Sequence, residues 1–178
     1  MQRVVIVGAS GAGKSTLAES LAQRIEGDYL ELDALYWLPG WQKAAPDVFV
    51  ERVTAVVAAE RWVVGSQYNQ VRDLVWMRAD TIVWLDYSFP VVFTRLLRRT
   101  VGRIVTKENL WGTGNYETWR TQFFVWKPIF LKRLKTYIGY RYRNRLGQIL
   151  QQPGYTHLRL VRLKSPQETE RWLQSVKP

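Results

Sequence analysis

The 178-residue sequence contains no cysteine, which excludes disulfides and thiolate metal sites and fits a reducing compartment. Long apolar runs are also missing. Nothing reaches the roughly 20 residues of a membrane span, and the first apolar stretch ends short of the roughly 7–15 residues of a signal core. These absences predict a cytoplasmic protein with no membrane partner. A third scarcity is local: residues 95–145 hold 2 acidic residues against 13 Lys and Arg, whereas residues 1–94 hold 11 against 8. The net charge of +11 therefore sits essentially in one block. Such a block suits phosphate-bearing ligands, from nucleotides to nucleic acid, and a solvated helical face is the alternative.

Apolar residues make up 47% of the chain, enough for a buried core, and the length suits a single domain, 1–178. Short β-branched runs that do not alternate read as buried strands at Arg3–Val7, Tyr29–Leu32, Trp62–Val64, Thr81–Leu85 and His157–Leu163. Between them lie helical patterns. Ser15–Ile25 repeats apolar residues at three-four spacing, Pro46–Ala59 and Pro90–Arg103 each open on a proline, and Ser165 with Glu168 forms a capping box for the last helix. This alternation predicts a parallel sheet covered on both faces. Residues 86–156 are too long for an ordinary crossover and hold the basic block with Trp111, Tyr116, Trp119, Phe123, Phe124, Trp126 and Phe130. They read as a helical, lid-like insertion at about 95–150. Its aromatics read first as a small core and second as stacking platforms for bases.

"GASGAGKST" carries the chemistry. Gly8, four residues, then Gly13, Lys14 and Ser15 match the P-loop pattern between a strand and an amphipathic helix. Backbone amides of Gly8, Ser10, Gly11, Ala12 and Gly13 are expected to turn onto phosphates, helped by the helix N-terminus. Lys14 reaches the outer phosphates, Ser15 offers a hydroxyl to Mg²⁺, and Thr16 lies beside the α-phosphate. The pattern predicts ATP and Mg²⁺ binding but does not name the reaction. In "YLELDALYW", Asp33 is expected at the end of the second strand, on the loop's edge of the sheet. An acid there can orient a hydroxyl or hold a metal-bound water, or simply cap the next turn. Arg72 lies on a later connection, and Arg95 and Arg99 are four apart on one helix face.

The P-loop, "LDALYW" with Trp41 beyond it, "WVVGSQY", "RADTIVWLD" and the arginine-rich helix follow one another in an order that resembles the nucleoside-monophosphate-kinase-like P-loop proteins. The succession covers nearly the whole chain and is most similar to bacterial adenylate-kinase-like or DNA topology modulation proteins. The resemblance implies an α/β P-loop three-layer sandwich, with a five-stranded parallel sheet in the order 2-3-1-4-5 and a helical lid. It places Arg95 on the ATP base and Arg99 on phosphate, with Arg98 and Arg103 as further clamps. Asp33, Trp37, Arg72 and Arg103 are then the expected acceptor-side residues, and Lys14, Asp33 and Arg99 the expected catalytic ones. Two departures stand out. Members usually read Asp-Gly-Asn-Tyr where this chain has Gly65, Ser66, Gln67 and Tyr68, so the acid ending the third strand is missing, and no adenylate-kinase monophosphate segment is present. Asp86 could replace that acid, although structural pairing is its simpler role.

Two functions compete at this point. One is a kinase that passes the γ-phosphoryl group of ATP to a nucleoside monophosphate or another small hydroxylated metabolite, with the lid arginines apart in the empty protein and drawn in by triphosphate. The other is a nucleotide-dependent nucleic-acid-binding or regulatory protein with weak ATPase activity, in which residues 95–145 bind DNA or RNA. A scaffold without nucleotide is third.

Overall fold

The computed structural model describes residues 1–124, 128–138 and 141–177, and only the backbone of 134–138 and 141–145. Trp126 and Lys127 thus lie outside the described residues, as do the side chains of Lys135, Arg141, Arg143 and Arg145. Five strands form one parallel sheet: β1 (Arg3–Gly8), β2 (Asp28–Leu30), β5 (Trp62–Val64), β6 (Thr81–Leu85) and β7 (Arg159–Leu163). Their order is β2-β5-β1-β6-β7. Counted without a two-residue hairpin, β3 (Trp37–Leu38) with β4 (Gln42–Lys43), this is the expected 2-3-1-4-5.

Central strands are apolar on both faces because helices cover both, as parallel sheets require. All five residues of β6 are buried. Val5, Val7, Ile82 and Trp84 pack beneath α3 (Pro46–Val56), α4 (Arg72–Trp76) and α7 (Arg141–Leu150). Val4, Ile6, Val83 and Leu85 pack against α1 (Lys14–Arg24) and α8 (Pro166–Ser175). Ser165 caps α8 by accepting the Glu168 amide at 3.2 Å, while the Glu168 carboxylate accepts from the Lys164 amide at 2.7 Å. The sheet's two edges are a three-residue strand and an arginine-bearing one, β7, whose Arg162 pairs with Asp86 at 3.0 Å. Asp86 is thus engaged in structural pairing at the edge of the sheet.

The insertion after β6 begins with α5 (Phe89–Val105), whose buried stripe Val92, Leu96, Thr100 and Ile104 follows the helical repeat. A turn through Leu110–Asn115, a single π turn at Arg120–Phe124 and α6 (Ile129–Ile138) complete it before α7. Its aromatics are not one core. Phe123 and Phe130 pack with tilted rings 5.1 Å apart, and Phe130 meets Phe93 of α5 at 6.1 Å. Tyr116, Trp119 and Phe124 are exposed, and Trp111 faces a cleft.

Candidate active site

The C-terminal ends of β1, β5 and β6 converge on the phosphate loop, residues 8–16. Gly11 has φ +90, and a Cβ there would stand 2.8 Å from the Val92 carbonyl, so only glycine lets the loop lie against α5. Lys14 opens α1 and folds back, donating to the carbonyls of Gly8 and Ala9 at 3.0 Å each. Burial in the cleft, reinforced by Arg99, pulls its ammonium down to about 8. The same burial, with Arg133 and Arg103 nearby, lowers Arg99 to about 10. No ion pair holds Arg99 among the described residues, so its charge faces the cleft uncompensated at hydrogen-bond range.

Two cavities open on either side of the loop. The first, about 600 Å³, runs between α1, α5 and α8 and is lined by Gly11, Gly13, Thr16, Tyr87, Arg95 and Thr169. Arg95 lies over the Tyr87 ring at 5.5 Å and donates to the Ala12 carbonyl at 3.3 Å. The second, about 840 Å³, extends from Gly8 and Ser10 past Glu31 and Asp33 to Trp37, Trp41, Trp111 and Arg133. Lys14, Ser15, Arg99 and Arg103 line both. A group held by those four residues is therefore reached from two separate compartments.

Asp33 stands inside the short helix α2 (Leu32–Tyr36), beyond the strand it was expected to end. It is no cap: Glu31 occupies the N-cap position, and no side chain bonds the helix amides there. Instead the Asp33 carboxylate accepts a hydrogen bond from the Tyr68 hydroxyl. Glu31, two residues earlier, accepts from the Tyr29 hydroxyl. Burial first, and Asp33 beside it, hold the Glu31 proton above the usual carboxylate range, against hydrogen bonds from Tyr29 and Ser15 that favour its charge. The cavity thus holds two acids where one was expected, and Glu31 is the one beside Ser15. In the sequence Glu31 falls inside the run Tyr29–Leu32, which reads as strand and gives the residue no role of its own. Arg133 was hidden within the basic block.

Arg72 is not brought to the phosphate loop. Its Nε pairs with Asp73 at 2.9 Å, and it lines a small separate cavity of about 100 Å³ with Val75, Trp76 and Leu146. Ser66, Gln67 and Tyr68 line both that space and the cleft. Nor are the lid arginines splayed. Buried Glu117 accepts Arg133 at 3.1 Å and has Arg103 at 3.7 Å, which offsets their repulsion. Asn115, fully buried, accepts the Trp41 amide at 2.8 Å and donates to the Leu38 carbonyl at 2.9 Å. The insertion is thereby fastened to the β3–β4 hairpin.

Gly65 explains the missing acid in packing terms. A Cβ there would lie 3.1 Å from the Ala18 Cβ and 3.3 Å from both the Lys14 carbonyl and the Ser15 Cα. A larger residue must push the first turn of α1, and with it the phosphate loop. Overpacking costs about 1–3 kcal/mol, against about 0.4–1 kcal/mol regained from a stiffer unfolded chain. Gly65→Ala should therefore destabilise by about 1 kcal/mol, read from urea unfolding, and weaken ATP binding.

A pH effect follows from Lys14. Its cation, present below about pH 8, is the form that attracts phosphate, and its loss lies on the alkaline side. ATP affinity should fall about tenfold from pH 7 to pH 9, with protons taken up on binding at the higher pH. Calorimetry in two buffers of different ionisation enthalpy measures both.

No family model matches the sequence. An uncharacterized protein of Bacillus subtilis (strain 168), YqaC, is 28% identical over 131 residues, 72% of each chain. A shikimate kinase of Rippkaea orientalis is 25% identical over 122 residues, 60% of this chain and 65% of that one. The solved shikimate kinase from Acinetobacter baumannii, in complex with shikimate, superposes over 98% of this chain and 89% of its own with a TM-score of 0.54, at 16% identity. The chain has a P-loop kinase fold. Within that fold the loop, the paired acids and the arginines of the segment after β6 lie around the C-terminal edge of the sheet, where open α/β sheets place their ligands. No helix among the described residues is long and apolar enough to cross a membrane.

Proposed function

We propose that this protein is an ATP-dependent kinase that transfers the γ-phosphoryl group to the hydroxyl of a small acceptor. The observation that carries this reading is the pair of cavities meeting at Lys14, Ser15, Arg99 and Arg103. A binding protein needs one compartment, whereas transfer between two bound molecules needs two that share the phosphate position. ATP would occupy the first cavity, with its base beside Arg95 and Tyr87, and the acceptor the second.

Phosphoryl transfer asks the protein for positioning and charge neutralisation rather than covalent chemistry. The loop amides and Lys14 hold the phosphates, and Arg99 and Arg133 face the oxygens on which charge collects. The donor set fits Mg²⁺: the Ser15 hydroxyl and the Glu31 carboxylate lie together beside the loop, hard oxygen ligands that leave room for water and phosphate. When bound there, the metal supplies further charge neutralisation. Asp33, aimed by Tyr68, accepts the proton of the acceptor hydroxyl. The acceptor oxygen forms its bond to the γ-phosphorus as the bond to ADP breaks, and the proton leaves through Asp33 to solvent.

Of the two acceptor classes open from the sequence, the acid pair supports an alcohol over a nucleoside monophosphate. An alcohol needs a group that takes its proton, and Asp33, aimed by Tyr68, supplies one, whereas an already ionised monophosphate needs none. The inward-facing arginines of the basic block also support a small ligand over nucleic acid. The test incubates the protein with labelled ATP, Mg²⁺ and a panel of small alcohols and nucleoside monophosphates. A labelled alcohol product is expected. Label on a monophosphate alone reverses the acceptor class. Duplex DNA binding that weakens steeply with salt, without any transfer, overturns the kinase.

A further inference from the structure

The end of the acceptor cavity farthest along the hairpin is walled by three tryptophans that the transfer chemistry does not use. Trp37 begins β3, Trp41 ends the turn between β3 and β4, and Trp111 comes from the insertion opposite. Trp41 stands nearly upright to both neighbours, with ring centres 5.5 Å from Trp37 at 79° and 6.2 Å from Trp111 at 90°. Trp41 and Trp111 have φ of +58 and +55, a left-handed backbone that bulky residues rarely adopt. Asn115 holds this arrangement by bonding the Trp41 amide. Trp41 remains 39% exposed, although it lies in a concave site. Two indoles are thus kept in an unfavourable backbone conformation without being fully packed, which is how ligand-contact residues are held.

Which ligand fits such a wall follows from its angles and its charge. Rings set at right angles present a π face and an adjoining edge at each corner. A planar aromatic ring gains from both, stacked on one and edge-to-face with the other. A puckered polyol gains only from the face. Aromatic cages also bind quaternary ammonium ions, but Lys43, Arg99, Arg103 and Arg133 line this same cavity and repel a cation. The volume, about 840 Å³, exceeds what a small polyol fills and accommodates a ring with a side arm.

We propose that the acceptor carries a planar aromatic or heteroaromatic ring, seated against Trp37, Trp41 and Trp111, with a hydroxyl-bearing arm that reaches Asp33. The ring's seat is independent of the chemistry, whereas the fate of the arm rests on the kinase reading.

The experiment titrates adenosine, cytidine and pyridoxine against the full chain pre-saturated with a non-hydrolysable ATP analogue and Mg²⁺, so that the nucleotide cavity is filled. Ribose and glycerol serve as ring-free alcohols. Calorimetry should show saturable binding by at least one ring compound and none by the ring-free pair. Trp41→Ala and Trp111→Ala should each weaken it at least tenfold with the analogue's affinity unchanged. Trp41→Phe should restore most of it, and Trp119→Ala, outside the cavity, should leave it unaltered. Unfolding curves check that each variant folds, and Trp41→Phe keeps the test valid if the alanine variants do not. Equal binding by ribose or glycerol, ring affinity indifferent to Trp41 and Trp111, or no ring compound binding overturns the proposal. Labelled ATP separates the two readings: ring binding without product refutes the kinase alone, and phosphorylated ribose without ring binding refutes the ring alone.

Discussion

Lys14→Ala is expected to lower phosphoryl transfer by about 10²–10³-fold, the loss typical of one charge donor removed from a pre-organised site, while the fold survives. The stability side of this expectation rests on a near cancellation. The mutation removes two hydrogen bonds to the Gly8 and Ala9 carbonyls, worth about 0.5–1.5 kcal/mol each. It also removes an ammonium whose burial and proximity to Arg99 already oppose its charge. The lysine is therefore a strained cation waiting for an anion rather than a prop for the loop. Thermal unfolding within a few degrees of the parent, together with weak ATP binding by calorimetry, is the expected pair of results. Unchanged ATP affinity would take the loop out of the reaction.

The second large effect separates the two acids. Asp33→Asn should lower kcat and kcat/KM together by about 10²–10⁴-fold, as loss of a proton acceptor does, without altering the Mg²⁺ dependence. Glu31→Gln should instead raise the Mg²⁺ concentration needed for half-maximal rate, because Glu31 is the acid that shares Ser15. Steady-state rates over a Mg²⁺ titration read both. An Asp33→Asn variant with full activity would show that the proton leaves by another route. Identical Mg²⁺ curves for parent and Glu31→Gln would move the metal elsewhere.

The conformation of residues 8–16, a glycine-rich turn between β1 and α1, was legible in the sequence because nearby residues dictate it. The sheet order was legible too, through the resemblance and the unbroken apolar strands. Residues whose role depends on distant partners were not. Arg72 looked available on its connection, yet Asp73 beside it takes its charge. Glu31 lay inside a run that reads as strand, and only the turn into α2 brings it beside Ser15. The basic block suggested repelling arms because sequence charge carries no geometry. One buried glutamate, Glu117, is enough to hold Arg103 and Arg133 together. The missing acid at Gly65 was visible, but its cause, the closeness of α1, is a three-dimensional fact.

Asn115 makes a kinetic statement as well as a structural one. Two half-buried hydrogen bonds tie the insertion to the hairpin, together worth about 1–3 kcal/mol. A clasp of that strength leaves the detached form at roughly one to fifteen per cent of the population. The indole wall is then assembled most of the time, so a bound ring forfeits almost no affinity to rearrangement. Association is spared a waiting step as well: the cleft already opens to solvent beside Trp41, so a ring enters and leaves without the clasp parting.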